Sequence, residues 1–563
     1  MGIGEPIIVP DVLRTIALHA TEVAGSLGLV VDVRRDYGAS GSALQTTGTI
    51  AGGSDVLTIA EVGDFKDGQG IAVAGAGAGG ALLVTTIASG GGSTTLVLGA
   101  TAAVGVDGAV VSHDDTAAIQ EALGVVASAG GGVAHLPAGT YRISATVAVG
   151  SDTILRGEGR GVSTITPTAN PSYDAVSSVA GAQNFRITSI SVNGNSTSGT
   201  ADGAGISTPT GTNAQHYQID NCEVYNTAAD GIHPYGNYGR VTGCYVHDVW
   251  RNGVYCNGTL AGGPTTSVEI DHNVVINASQ GSTTWDGIDC DPGTEFANIH
   301  DNVVVDNDII VFGTSEAATT NIIIRGNMIL NSRENGIDIA CTAANLTRHI
   351  LVEGNRIYKP AGQGILVNGG VIGFSLRGNV ISESTAEGIL LEGSSAPAAF
   401  LIEGNYVENP SGTSGAAAGI TLGSGANTGS VTGNYVRDTR GPVLMSYAVD
   451  VSAAGSGVSV KENLLNGGVS GTVNLPADAS GLRVGGNTGY NPVGVVAMAA
   501  PASGASATNT SGVRLRIALS GSISALTVAG VAWPVGAPVF SLEPGESFTP
   551  TYSGTLTVVA LGE

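Results

Sequence analysis

LVEGNRI at residues 351–357, SLRGNVI at 375–381, LIEGNYV at 401–407 and SVTGNYV at 430–436 repeat one phrase: alternating apolar residues, then Gly-Asn, then a second short apolar run. Looser copies read QIDNCEV, EIDHNVV, NIHDNVV, IIRGNMI and SVKENLL. Together they set a column of asparagines at Asn221, Asn273, Asn302, Asn327, Asn355, Asn379, Asn405, Asn434 and Asn463, with steps from Asn273 onward of 29, 25, 28, 24, 26, 29 and 29 residues. A period in this range defines a solenoid. The apolar positions alternate with period two and are rich in Val, Ile, Gly and Asn, which makes the repeats strands and excludes helix pairs. A second mark, x-Gly-Ile/Val, recurs in DGIHP, NGVYC, DGIDC, NGIDI, QGILV, EGILL and AGITL and opens a further strand in each repeat.

The expected fold is therefore all-β, a right-handed parallel β-helix spanning residues 31–490. Rungs stacked about 4.8 Å apart would number about ten to thirteen and form a rod on the order of 50 to 60 Å long. The asparagines are expected to stack as a side-chain amide ladder and to accept the left-handed backbone of each corner, a structural role. Open solenoid ends expose strand edges and need covers. DDTAAIQEALGVVA at 114–127 predicts a helix, with an acidic start and Ile119, Leu123 and Val126 on one stripe, that caps the N-terminal end.

A chain of 563 residues exceeds one ordinary core, and the repeat absorbs the excess. The formal net charge of −24 repels nucleic acid and anionic membrane, and no stretch approaches the roughly 20 apolar residues of a membrane span. The expected partners thus include no nucleic acid and no membrane insertion. The opening MGIGEPIIVPDVLR has neither the basic start nor the apolar run of a secretory leader. Cys222, Cys244, Cys256, Cys290 and Cys341 lack CxxC spacing and read as buried small apolar residues. Residues 1–30 form an N-terminal segment with a helix predicted at Asp11–Val23, and residues 491–563 leave the repeat for a small β-domain.

DVRRDYGASGS at 32–42, DDTAAIQEAL at 114–123 and GGVAHLPAGTYRI at 131–143 resemble, in that order, the opening signature of pectate-lyase-superfamily β-helix proteins, including many phage tailspike depolymerases. In that family the first two blocks are adjacent; here a Gly-, Ala-, Thr- and Val-rich stretch, about 41–112, reads as an inserted β-module. The resemblance implies a glycan-active protein, a homotrimer, and an extracellular or virion-associated location. The chemistry it covers is broad, from lyases and hydrolases to epimerases and proteins that only bind.

The second mark also sets up a polar column on one wall, His233, Tyr255, Asp289 and Asp338, interrupted by Ile310. Tyr235, Asn257 and Asp291 lie two positions on, Asp230, Asn252, Asp286 and Asn335 stand before the glycines, and the turns add Trp250, Arg251, Trp285, Arg333 and Glu334. Aromatic faces stack on pyranose rings while carboxylates bind hydroxyls and move protons, so this mix fits a sugar groove; a solvent-facing wall with Asp and Asn before Gly would also be polar without function. Asp289 and Asp291 share a strand face with about 6.6 Å between Cα atoms, and Asp289 and Asp338 stand two rungs, about 9.6 Å, apart. Inverting glycosidases hold their carboxyls about 6.5–9.5 Å apart, so either pair would serve.

WDGIDCDPG…VVDNDIIVFG further resembles the active strands of polygalacturonase-type hydrolases. That likeness maps the family's acids onto Asp286, Asn307 and Asp308 and its Gly-His-Gly onto Glu334-Asn335-Gly336; the middle acid is an Asn here, which points to a related hydrolase. The expected catalytic set is Asp286, Asp289, Asp308 and Asp338, with His233, Tyr255, Trp250, Arg251, Trp285, Asp291, Arg333 and Glu334 binding substrate and no cofactor. A lyase or epimerase would instead use Tyr255, Arg251 or His233 as base, with Ca²⁺ held by Asp residues. A non-catalytic glycan-binding fibre is the third class.

Overall fold

The computed structural model describes residues 28–563 except 169–170, 197, 200–201, 210, 212, 259–262, 283–284, 315–316, 343–345, 394–396, 491–494, 537 and 563. The helix predicted at Asp11–Val23 lies outside these residues. The chain carries a parallel β-solenoid of about twelve turns and divides into two compact units, 1–309 and 310–563. Among the described residues, no helix is long and apolar enough to cross a membrane.

In the first unit each rung contributes three short strands to three parallel walls. One wall stacks Val147–Val149, Val176–Ser178, Ile206–Ser207, Ile232–His233, Val254–Cys256 and Ile288–Cys290. Alternation turns every second side chain inward. Leu155, Ile187, Ile219, Val241, Ile270 and Ile299 therefore sit in register up the core on the second wall, all fully buried, and Val192, Val224, Val246, Val275 and Val304 do so on the third. All five cysteines are free and buried.

Six antiparallel strands between Gln45 and His113 close into a barrel around Leu57, Ile71, Val73, Leu96 and Val111. The helix Thr116–Ser128 follows, with Ile119, Ala122, Leu123 and Val126 buried against solenoid strands that include Gly132–His135 and Val147–Val149. The two leading acids divide the work at its start. Asp114 accepts the Thr116 N–H at 2.9 Å, whereas Asp115 turns away and accepts Ser40 N, Ser40 Oγ and Gly41 N. Asp115 thus clasps the 32–42 block across the barrel segment, joining two sequence blocks that the insertion separates.

The amide ladder is clearest in the second unit. Asn327, Asn355, Asn379, Asn405, Asn434 and Asn463 each donate a backbone N–H to the side-chain oxygen of the next rung's Asn, ending on Asn487, at 2.9–3.0 Å. Their own amide nitrogens donate onward to the same oxygens. The left-handed backbone falls on the residue before the Asn, where Gly326, Gly354, Gly378, Gly404, Gly433 and Gly486 have φ of 57–66°. That position explains the Gly of the Gly-Asn mark.

One member of the expected column is corrected. Asn221 is an exposed corner residue with φ 50°, and the ladder position beside it belongs to Cys222, followed by Cys244, whose N–H donates to Asn273. The thiols of Cys222 and Cys244 point at Ile187 O and Ile219 O, the bonds that amides make elsewhere. In the second unit, residues 495–562 form six antiparallel strands over a core of Leu515, Ile517, Leu519, Phe540, Leu542 and Phe548.

Asn379→Ala strands the buried Asn355 N–H and Val352 C=O, and should lower stability by about 2–4 kcal/mol. Asn221→Gly should change it by less than about 0.5 kcal/mol. Urea denaturation of both variants beside the wild type checks the contrast.

Candidate functional site

The wall that includes Ile288–Cys290 carries the expected polar column in register, with Ser207, His233, Tyr255 and Asp289 on successive rungs of the first unit. The rings of His233 and Tyr255 lie 4.9 Å apart. Tyr255 donates its hydroxyl to Asp291 Oδ2 at 2.8 Å, Asn257 Nδ2 donates to the Tyr255 oxygen at 3.2 Å, and His233 Nε2 meets Asn257 Oδ1 at 3.0 Å. Asp291 also hydrogen-bonds Asp289. Asp289 and Asp291, the expected pair on this strand, act directly on each other's carboxyls.

Asp289 is 6% exposed, and its Oδ1 has no partner among the described residues. Burial, followed by the like charges of Asp291, Asp230 and Asp308, pushes its carboxyl far above the usual range. Burial also raises Asp291, opposed by the hydrogen bonds from Tyr255 and Asp289. Burial and like charge thus favour the protonated form of the pair, most strongly at the more buried Asp289. Burial and the charges of Asp291 and Asp289 push the Tyr255 phenol up as well, so it is a proton holder and a poor base. Asp230 is likewise raised by burial, with His233 and Arg251 pulling the other way.

Asp286 belongs to a different arrangement. Asn252 N donates to Asp230 Oδ1 at 3.1 Å, and Asp286 N donates to Asn252 Oδ1 at 2.7 Å, so the residues before the glycines form a second rung-to-rung ladder. In the second unit Asn335 does the same for Gln363 N at 3.0 Å. Asp308 is 7% exposed, and its carbonyl accepts Gly287 N and Ile288 N.

The aromatic turn residues are more constrained than sugar platforms. A Cβ at Gly199 would lie 1.6 Å from Trp250 Nε1 and one at Gly281 2.2 Å, so the Trp250 indole is wedged between two glycine backbones. Arg251 pairs with Asp202 and stacks over the Trp285 ring at 4.9 Å, covering one indole face. Tyr235 is fully buried and donates to Gly263 O at 3.0 Å, which removes it from the wall surface. In the second unit Arg333 and Glu334 are exposed turn residues. Asp338 there accepts Asn335 Nδ2 at 3.3 Å and stands in register with Leu366 and Leu390. Burial, offset by Asn335 and reinforced by Glu334 and Glu392, pushes Asp338 up to about 6.

The neighbouring wall of the first unit holds a cluster that the sequence reading missed. Arg186 grips Asp220 through two bonds, and Arg240 grips Asp271 through two more and lies 3.3 Å from Glu269. His300 bridges Glu269 at 2.9 Å and Asp301 at 2.8 Å. Glu269, Asp271 and His300 have the donor types and proximity of a metal site. The Arg240 guanidinium, however, already occupies the carboxylates and supplies the positive charge, so the set is an ion-pair network. Its signal was the Arg and Asp two positions apart in RVT and EID on successive rungs, which register alone reveals.

Residues 104–266 match the family described as Rhamnogalacturonase A/epimerase, pectate lyase-like, and residues 346–512 match the family described as right-handed beta helix region. With the three parallel walls, these matches make the solenoid a right-handed β-helix with a pectate-lyase-like segment at 104–266. No curated protein sequence matches it. Among solved structures, the Dettilon tailspike protein aligns over 80% of this chain and 91% of its own at 14% identity and a TM-score of 0.51, a likeness of fold. The A-module of the mannuronan C-5 epimerase AlgE6 of Azotobacter vinelandii aligns over 67% of this chain and 96% of its own, with 18% identity and a TM-score of 0.48. The tailspike protein of E. coli bacteriophage HK620, solved with a pentasaccharide, aligns over 80% and 89%, with 13% identity and a TM-score of 0.44.

Because Asp338 has a raised folded pKa, its stabilising contribution is full below its unfolded value and disappears as pH rises from about 4 to about 6. Asp338→Asn should therefore match the wild type near pH 4 and exceed its stability by roughly 2–3 kcal/mol at pH 8. Denaturation curves at the two pH values check the sign.

Proposed function

We propose that this β-helix is a polysaccharide depolymerase, a glycoside hydrolase that cleaves an extended glycan along the wall containing Asp289. The observation that carries the reading is the buried Asp289–Asp291 pair, in which burial and like charge favour the protonated form beside further buried carboxyls. A glycosidic oxygen needs such a donor to leave. Asp291, the less buried member, gives a proton to the leaving oxygen while Asp289 hands its own across the pair. Asp308 takes a proton from the water that attacks the anomeric carbon, so that the C–O bond breaks and a new reducing end forms. Asp286 keeps its rung in place, and Asp338 acts in neither step.

Hydrolysis is favoured over elimination by two observations. Tyr255, the base an elimination would recruit, is pushed toward its protonated form. The charges acting most strongly on Asp289 are negative, which repels a uronate carboxylate and fits a neutral glycan. In keeping with the tailspike resemblance, the protein would work as an extracellular or virion-associated homotrimer, and light scattering should return a mass about three times the 55.7 kDa chain.

Incubation with neutral and uronate-containing polysaccharides should generate reducing ends without the ultraviolet absorbance of an unsaturated uronate. Asp289→Asn should cut turnover by about 10²–10⁴-fold with the fold retained, whereas Asp286→Asn, which only repeats the amide already used at Asn252, should cost less than about tenfold. Unsaturated products, above all if they require Ca²⁺, would replace hydrolysis by elimination; binding without any product would leave a glycan-binding fibre.

A further inference from the structure

We infer that His233 is a positioning residue that fixes the shared proton of the carboxyl pair through a one-way chain of hydrogen bonds, His233 to Asn257 to Tyr255 to Asp291. This rests on the hydrolase reading for its use in turnover, but the chain itself is a matter of geometry. Its direction follows from Tyr255, whose hydroxyl has one proton. That proton goes to the Asp291 carboxylate at 2.8 Å, so Asn257, 3.2 Å from the same oxygen, must present its NH₂. Asn257 then turns its carbonyl oxygen to His233 Nε2 at 3.0 Å, and that nitrogen must carry hydrogen. Every donor in the chain points toward Asp291.

Such a chain polarises along its length, and in a buried site it strengthens the terminal bond to the carboxylate. Stabilising Asp291 in its charged form leaves the pair's proton on Asp289, the end farther from solvent. The groups around His233 agree with a role in charge placement. Asp230 feels its charge, as it does that of Arg251. Ser207, in register with His233 on the preceding rung, donates to Asp174 Oδ2. On the following rung lies Tyr255, and on the rung after it Asp289 and Asp291.

His233 also packs its ring, tilted by 46°, against Tyr255, so a packing role is the competing explanation, and two substitutions separate them. His233→Phe keeps a ring against Tyr255 and removes the donor; His233→Gln keeps a donor to Asn257 and removes the ring. The readout is the infrared carbonyl band of the protonated pair, identified by its loss in Asp289→Asn and titrated against pH. Donors to a carboxylate lower its pKa, so breaking the chain should raise the pair's midpoint by about one pH unit in His233→Phe and leave it nearly unmoved in His233→Gln. The alkaline limit of turnover should follow the infrared midpoint in both, with KM little changed. An unmoved midpoint in His233→Phe, an equal shift in His233→Gln, or a band that survives Asp289→Asn would overturn the inference. Absence of hydrolysis on every glycan would sink the hydrolase reading alone, because the infrared titration needs no substrate.

Discussion

Each corner of a parallel solenoid takes backbone N–H and C=O groups out of the strand ladder while keeping them buried, and those groups must find partners in the neighbouring rung. In this chain side-chain amides meet that demand. The corner backbone enters the left-handed region at Gly, and the following Asn turns inward, accepts the N–H of the rung before it and donates to a strand carbonyl. Because every rung depends on its neighbour for these bonds, the Asn spacing sets where strands begin, and strand positions then decide which residues meet on each wall.

The same device reaches the candidate site. Asp230, Asn252 and Asp286 occupy equivalent corners, and where their bonds are resolved they serve the next rung's N–H with an oxygen. An Asn does this without charge. Asp230 does it with a carboxyl that burial penalises, next to a wall that already holds Asp289, Asp291 and Asp308. Corner chemistry therefore accounts for an oxygen at position 286, and it does not account for the acids that the wall gathers beyond the corner.

The repeat and the column His233, Tyr255, Asp289 were readable from the sequence because strand alternation fixes the face on which a side chain emerges. The mutual influence of Asp289 and Asp291 was not: Cα spacing along a strand says nothing of the rotamers that set how two carboxyls interact. The ladder was misread by one residue at Asn221, since a corner Asn and a ladder Asn look alike and Cys222 has no amide to mark it. The wedging of Trp250 depends on Gly199, which is fifty-one residues away in sequence and adjacent only through rung stacking. Each miss lies at the level of side-chain conformation and packing, where periodicity carries no information.

Two walls of the first unit show what stability alone does with buried acids. On one, Asp220 and Asp271 each receive a two-pronged Arg, a Thr hydroxyl and, for Asp271, a His, and Asp271 is held below its ordinary pKa despite its burial. On the other, the strongest charges on Asp289 have its own sign, and one of its oxygens is left unpaired. The chain can thus neutralise acids on a wall by placing Arg one rung away, and it does so at Arg186 and Arg240. An arrangement that instead raises a carboxyl's proton affinity sacrifices folding stability, and such costs concentrate where a poised proton is used. The contrast between the walls, more than the acidity of either, is the reason the proposed function rests on the Asp289 face.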